Sequence, residues 1–160
     1  MADSFADART RVTWMPACAN IAAPTVAELN AGILLNSIIT PDGLVGFEAT
    51  TADVDTAALD SEYDTVGVGR DSFSGTMFRL KKQTTGDTTY TTIGAKGVAG
   101  FVAIRRDVPV TTAWTALQLV EVYPAYTGRR RNLSPEKNAV RKYEVPIKIY
   151  SAPNIDAVVA

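Results

Sequence analysis

Residues 98–105, Val-Ala-Gly-Phe-Val-Ala-Ile-Arg, restrict the fold more than any other segment. Read as a strand, Val98, Val102 and Ile104 line one face, and Ala99, Phe101 and Ala103 line the other. A strand apolar on both faces has to be covered on both. In a small β domain that cover is a helix or another subunit, and the second option is a hint of self-assembly. Two more segments read as strands. In residues 117–123, Leu117 and Leu119 share one face and Val120 and Val122 the other. In residues 143–150 the alternation is cleaner, with Tyr143, Val145, Ile147 and Ile149 inward.

The rest of the chain is punctuated by turns and poor in helix. Residues 9–15 are β-formers stopped by Pro16. Residues 24–32 carry the one clear helix signal. Thr25 can cap, Glu28 three residues on can close a capping box, and Gly32 stands at the expected stop. Residues 33–40 predict a buried strand turned by Pro41-Asp42-Gly43. Residues 44–60 have no clean period and read as a long loop or a weak helix near 57–59. Residues 62–68 and 72–83 read as strands separated by Gly69-Arg70-Asp71. Residues 88–93 fit a short helix or a threonine-rich strand. The tail, 151–160, is apolar for a chain end and is expected to be tied down. The fold class is mainly β: a β-sandwich or rolled barrel with one or two short flanking helices and a long loop. One domain spans 1–160, with an N-terminal arm at 1–10 and a docking tail at 152–160.

Composition excludes much chemistry. There is no histidine and one cysteine among 160 residues. A Ser-His-Asp triad, a Cys-His pair and a histidine metal cluster are therefore out of reach. Cys18 alone makes no internal disulfide and, with no basic neighbour, reads as an inert thiol. Asp53-Val-Asp55 opens like a calcium loop, but Ala57, Ala58 and Asp64 stand where a third ligand, the turning glycine and a glutamate belong. Gly67-Val-Gly69-Arg70 lacks the lysine and the third glycine of a phosphate cradle. If their segment is a strand, Asp60, Glu62 and Asp64 form a solvated acidic stripe. The triplet Arg129-Arg130-Arg131, with Lys81-Lys82, Arg105-Arg106 and Arg141-Lys142, reads as exposed loop charge or an intersubunit contact, with no recognised nucleic-acid motif. No catalytic, cofactor or metal residue is assigned. The start, Met-Ala-Asp-Ser-Phe-Ala-Asp, lacks the order of a signal peptide, and no apolar run is long enough for a bilayer. Synthesis in a cytoplasm and no membrane partner are expected.

The net charge of −1 hides a split. Residues 1–72 hold three Arg and no Lys against eleven Asp and Glu, a net of −8. Residues 73–160 hold thirteen Lys and Arg against six Asp and Glu, a net of +7. The two halves either occupy adjacent faces of one monomer or meet, acid to base, across copies.

Trp14-Met-Pro-Ala-Cys-Ala-Asn20 followed by Ala23-Pro-Thr-Val-Ala-Glu-Leu-Asn-Ala-Gly32 resembles the N-terminal signature of major tail (tail tube) proteins of long-tailed phages, notably those of actinobacteria. Gly100-Phe-Val-Ala-Ile-Arg-Arg106, Thr112-Ala-Trp114, Val120-Glu-Val-Tyr-Pro124 and the ending Asn154-Ile-Asp-Ala-Val-Val-Ala160 continue the resemblance in order. Residues 44–92 fit it least. The resemblance implies a structural virion protein without catalysis or cofactor. Its rings, normally of six subunits, stack into a tube that conducts genomic DNA from capsid to host, in a virion tail assembled in the bacterial cytoplasm. The implied partners are other copies, a tape measure protein, a tail terminator, a baseplate or tail-tip protein, and transiting double-stranded DNA held without tight binding. An acidic lumen repels phosphate, and Asp60, Glu62 and Asp64 are candidates to line it. Candidates for contacts between subunits or rings are Asp3, Asp7, Arg9, Asp42, Glu48, Asp53, Asp55, Arg129, Arg130, Arg131, Asn154, Ile155, Asp156, Val158 and Val159. The competing readings are another virion protein (tail completion or head decoration) and a nucleic-acid-binding β-barrel. With stacking in view, the split charge favours acidic and basic surfaces that meet across copies.

Overall fold

The computed structural model describes residues 8–160. Its strands are β1 (Arg11–Met15), β2 (Ile33–Leu34), β3 (Ile39–Val45), β4 (Thr50–Asp55), β5 (Val66–Ser72), β6 (Met77–Lys81), β7 (Ala99–Arg105), β8 (Leu119–Thr127), β9 (Arg131–Asn132), β10 (Lys142–Ile149) and β11 (Asn154–Val158). Two short helices, α1 (Val26–Ala31) and α2 (Thr88–Thr92), complete it. Nine strands form one antiparallel sheet in the order β2-β1-β7-β8-β10-β6-β3, with β11 added on β8 and β9 on β10. The sheet curls into a half-barrel, as the mainly β pattern predicts. Among the described residues, strands β4 and β5 pair only with each other.

The curled sheet has a core on each side of its centre. Val12, Trp14, Val102, Ile104, Tyr123, Ala125, Tyr143, Val145 and Ile147 fill the larger one with Phe47, Phe78 and Leu80. Met15, Ala103, Val120 and Val122 face the other way, against Leu29 of α1, Trp114, Ala157 and Val159. The two-faced β7 is thus covered on its second side by a helix, a loop tryptophan and the C-terminal tail of the same chain. The hint of self-assembly drawn from that strand is answered inside the subunit.

Helix α1 forms where the capping box places it. Thr25 Oγ1 accepts from the Glu28 amide at 3.2 Å, and the Glu28 carboxylate accepts from the amides of Thr25 at 2.8 Å and Ala19 at 2.7 Å. Those hydrogen bonds hold the Glu28 carboxyl below its ordinary value. Gly32 ends the helix, but with φ of −75° it is not there for a left-handed turn. A Cβ at Gly32 would lie 2.5 Å from Thr13 Cγ2, so close approach to β1 requires the glycine.

Three local expectations need correction. Residues 33–40 are not one strand: the chain turns at 35–38 and divides β2 from β3. Pro41-Asp42-Gly43 does not end a strand but bulges within β3, between the pairs Ile39↔Leu80 and Leu44↔Phe78. The bulge persists because Asp42 ion-pairs with Arg79 across it. Gly69-Arg70-Asp71 is no turn either, since it lies inside β5. Between Thr88 and Thr92 the chain is helical, capped by Asp87, whose carboxylate accepts from the Tyr90 amide at 2.9 Å.

A candidate self-association surface

The hairpin of β4 and β5 stands apart from both cores. All six residues of β4 are exposed, and so are Val66, Val68 and the connection 56–65. Among the described residues, the hydrogen bonds of residues 50–72 stay within the hairpin, as in Thr51–Asp71 at 2.6 Å and Thr56–Thr65 at 3.1 Å. Both outer edges of this ribbon are unpaired among the described residues. Leu59, Tyr63, Val66 and Val68 add exposed apolar area. A two-stranded hairpin is marginal in water by itself. A partner that pairs an edge or covers a face would supply what the chain does not.

Its charge is one-sided. Asp53 and Asp55 lie in β4 opposite Val68 and Val66, in a paired ribbon rather than a calcium-type loop. Asp60, Glu62 and Asp64 would share one face if their segment were a strand. They lie instead in the irregular connection that forms the hairpin tip, so the premise of an acidic strand face does not hold. Among the described residues none of these five carboxylates makes an ion pair. Glu48, at the hairpin's root, is exposed, and its negative charge helps to raise the pKa of both the Arg106 guanidinium and the neutral Tyr123 phenol.

The basic triplet is divided by role. Arg131 is held by Glu144 at 3.0 Å, and the same carboxylate takes Arg79 at 3.0 Å. Arg130 donates to the carbonyls of Tyr90 and Gly94, both at 3.3 Å, and its guanidinium lies 4.0 Å from the Tyr90 ring centroid. Lys82 stands 3.9 Å from the same ring. The Tyr90 hydroxyl donates to Asn132 Oδ1 at 3.2 Å. The Asn132 side-chain amide, which can donate to the phenolate, and the Arg130 and Lys82 cations hold the phenol below its ordinary value. Arg129 and Lys96 are exposed and unpaired among the described residues. With Tyr90, Gly94, Ala95, Arg130 and Asn132 they line a polar cavity of about 460 Å³. Sequence reading found the triplet but missed Tyr90 and Lys96, which only the folding of α2 against β9 brings beside it.

The termini differ from one another. Asp3 and Asp7 lie outside the described residues. Arg9 donates to the Asp107 carbonyl at 3.0 Å. The tail pairs through β11 with β8, where Asn154 lies opposite Val122 and Val158 opposite Leu119. Val159 is buried in its own chain, while Ile155, Asp156 and Val158 are exposed. Asp42 is engaged with Arg79.

No group of three or more acidic or cysteine side chains among the described residues is placed to hold a metal. No described helix is long and apolar enough to cross a membrane. What the surface offers is a ribbon with open edges and two unpaired charge clusters of opposite sign. The family model for phage tail tube protein matches residues 1–160, the whole sequence. The chain belongs to the phage tail tube protein family. It is a structural component of the phage tail, and the resemblance read from residues 14–32 and 100–124 holds over the full length. No curated protein matches it. Segment 44–92, where the resemblance is weakest, contains the hairpin and α2, which give this tail tube subunit its exposed ribbon and the Tyr90 of its basic cavity.

Proposed function

We propose that the subunit assembles through the β4–β5 hairpin into rings, six-membered as the resemblance implies, and that the rings stack into the tube that carries genomic DNA to the host. The observation behind this is a ribbon of residues 50–72 with two open edges and, among the described residues, no hydrogen bond to its own body. Such an element gains by pairing with another copy. The same reading gives the tube a tape measure protein inside, a terminator at one end and a baseplate or tip protein at the other. Double-stranded DNA passes without tight binding through a lumen that is neutral or acidic. Ile155, Asp156 and Val158 offer a second exposed surface for contacts between copies. Negative-stain microscopy and sedimentation of the purified protein test the proposal. Rings or tubes are expected, and a chain that stays monomeric at high concentration refutes it.

A further inference from the structure

We infer that the acidic hairpin tip of one subunit seats in the basic cavity of Tyr90, Lys96, Arg129, Arg130 and Asn132 on the next copy. This rests on the assembly reading above and names the receiving surface for the hairpin. Three observations carry it.

The first is complementarity. Asp60, Glu62 and Asp64 are exposed and make no ion pair among the described residues, and neither do Lys82, Lys96, Arg129 and Arg130. Other charges, among them Arg70, Lys137, Arg141, Lys148 and Asp156, also make no ion pair among the described residues. What sets these two places apart is density: three carboxylates within five residues at the tip, and four cations around one cavity.

The second is position. The hairpin leaves the body where β3 ends at Val45 and β6 begins at Met77, and these two residues are paired. The cavity lies across β10 from those strands. Asn132 pairs with Tyr143, which pairs with Leu80, and the chain from Asn132 back to Gly128 runs beside β10 to Pro146. The Lys82 amide donates to the Arg141 carbonyl at 2.8 Å. A plug and a socket on different parts of the subunit make a heterologous contact, which closes into a ring or continues as a stack.

The third is that the socket is rigid before anything docks. Arg130 is fixed by two carbonyls and the Tyr90 ring, and Tyr90 is fixed by Asn132 and by the edge of Tyr143 at 5.0 Å. Preset cations lose less freedom on meeting a carboxylate than free side chains do. Arg129 and Lys96 flank this frame without being part of it, so they can be changed without disturbing it.

The test uses charge exchange. One chain carries D60K/E62K and a second carries K96E/R129E, and both are expected to melt with the wild type because no altered group is paired in the fold. Each alone should need at least about tenfold more protein to assemble. An equimolar mixture should assemble like wild type, since the basic tip of the first meets the acidic socket of the second and the reverse. If either variant alone assembles like wild type, or the mixture fails, the socket assignment is overturned while assembly stands. Phage carrying D60K/E62K that build normal tails but deliver the genome poorly would also overturn it and place the tip on the lumen. A wild-type chain that never assembles refutes the assembly proposal itself. Should a variant melt early, D60N/E62Q and K96Q/R129Q replace it, and both should still weaken assembly.

Discussion

Arg105 is fully buried, at 0% exposure, and all its acceptors are neutral. Its guanidinium donates to the carbonyls of Thr112 at 2.8 Å, Pro109 at 3.0 Å and Ala113 at 3.2 Å, and to Gln118 Oε1 at 2.8 Å. It also lies 4.9 Å from the Trp114 ring centroid. Burial, with Arg11 alongside, lowers its pKa, which records the cost of keeping this charge dry. The return is that one side chain fixes the irregular link between β7 and β8 and holds Trp114 in the second core. Hydrogen bonds to a charged group contribute about 1.5–3 kcal/mol each, so four amount to roughly 6–12 kcal/mol before the offset. Removing the guanidinium also removes its desolvation cost, several kcal/mol. The loss of the ring contact adds about 1 kcal/mol. The balance for Arg105→Met is a destabilisation of about 3 kcal/mol, or a Tm lowered by about 6–12 °C at this chain length. Arg105→Lys should fall nearly as far, because an ammonium cannot fork to four acceptors. Urea titration of the unassembled subunit, followed by tryptophan fluorescence and circular dichroism, measures both. A Met variant within about 0.5 kcal/mol of wild type, or more stable, would refute the reasoning and show that the buried charge is a net burden.

Three further outcomes are expected. Thr50 and Ser72 are directly paired, so a two-residue Asn-Gly turn can replace residues 51–71; the truncated body should melt within about 0.5 kcal/mol of wild type yet form no rings or tubes by microscopy, and early melting would show that the hairpin supports the body. The folded-state pKa of Glu28 is depressed, so its stabilisation is present above the ordinary value of 4.5 and is lost as pH falls through the lowered value. The urea midpoint of wild type should therefore exceed that of Glu28→Gln by a constant margin from pH 7 to about 5, and the margin should shrink as pH falls below 4.5; a margin that does not shrink in acid would contradict the role given to the carboxylate. A Cβ at Gly100 would lie 2.5 Å from Trp14 Cζ2 and 2.8 Å from the Met15 carbonyl, so Gly100→Ala should cost about 1–3 kcal/mol in the same titration, and a neutral result would mean Trp14 can move aside.

The body of this fold was legible because its strands are buried. Val102 and Ile104 alternate with Phe101 and Ala103 because two cores press on β7. Tyr143, Val145 and Ile147 alternate because only one core presses on β10. The capping box of α1 is a local hydrogen-bond pattern, and it forms wherever its residues stand at that spacing. The hairpin was illegible for the converse reason. No core presses on β4 or β5, so nothing selects an apolar face, and Thr50–Asp55 shows no period. Gly69-Arg70-Asp71 would end a strand that needed side-chain packing, but a solvent-exposed ribbon tolerates it. Arg105 reads in the sequence as exposed loop charge or an intersubunit contact, and is instead fully buried in β7, because its acceptors lie 4 to 13 residues further on and are brought back by a loop without periodicity. Only the charge split marked residues 1–72 as unusual, and charge carries no register.

The closed body and the open hairpin together bear on how assembly is controlled. Had β7 needed a second subunit to cover it, an unassembled chain would expose a core face and aggregate. Its cover comes from α1, Trp114, Ala157 and Val159 of the same chain, so the subunit can fold before it assembles. The open edges then remain on a ribbon whose root, strands and tip carry Glu48, Asp53, Asp55, Asp60, Glu62, Asp64 and Asp71 against Arg70 alone. Like charges on open edges discourage two ribbons from pairing with each other. The same charges favour a basic surface, which in this chain lies across β10 from the strands that carry the ribbon. Repulsion between like surfaces and attraction between unlike surfaces give the contact a direction, and a directional contact is what a stack of identical rings requires.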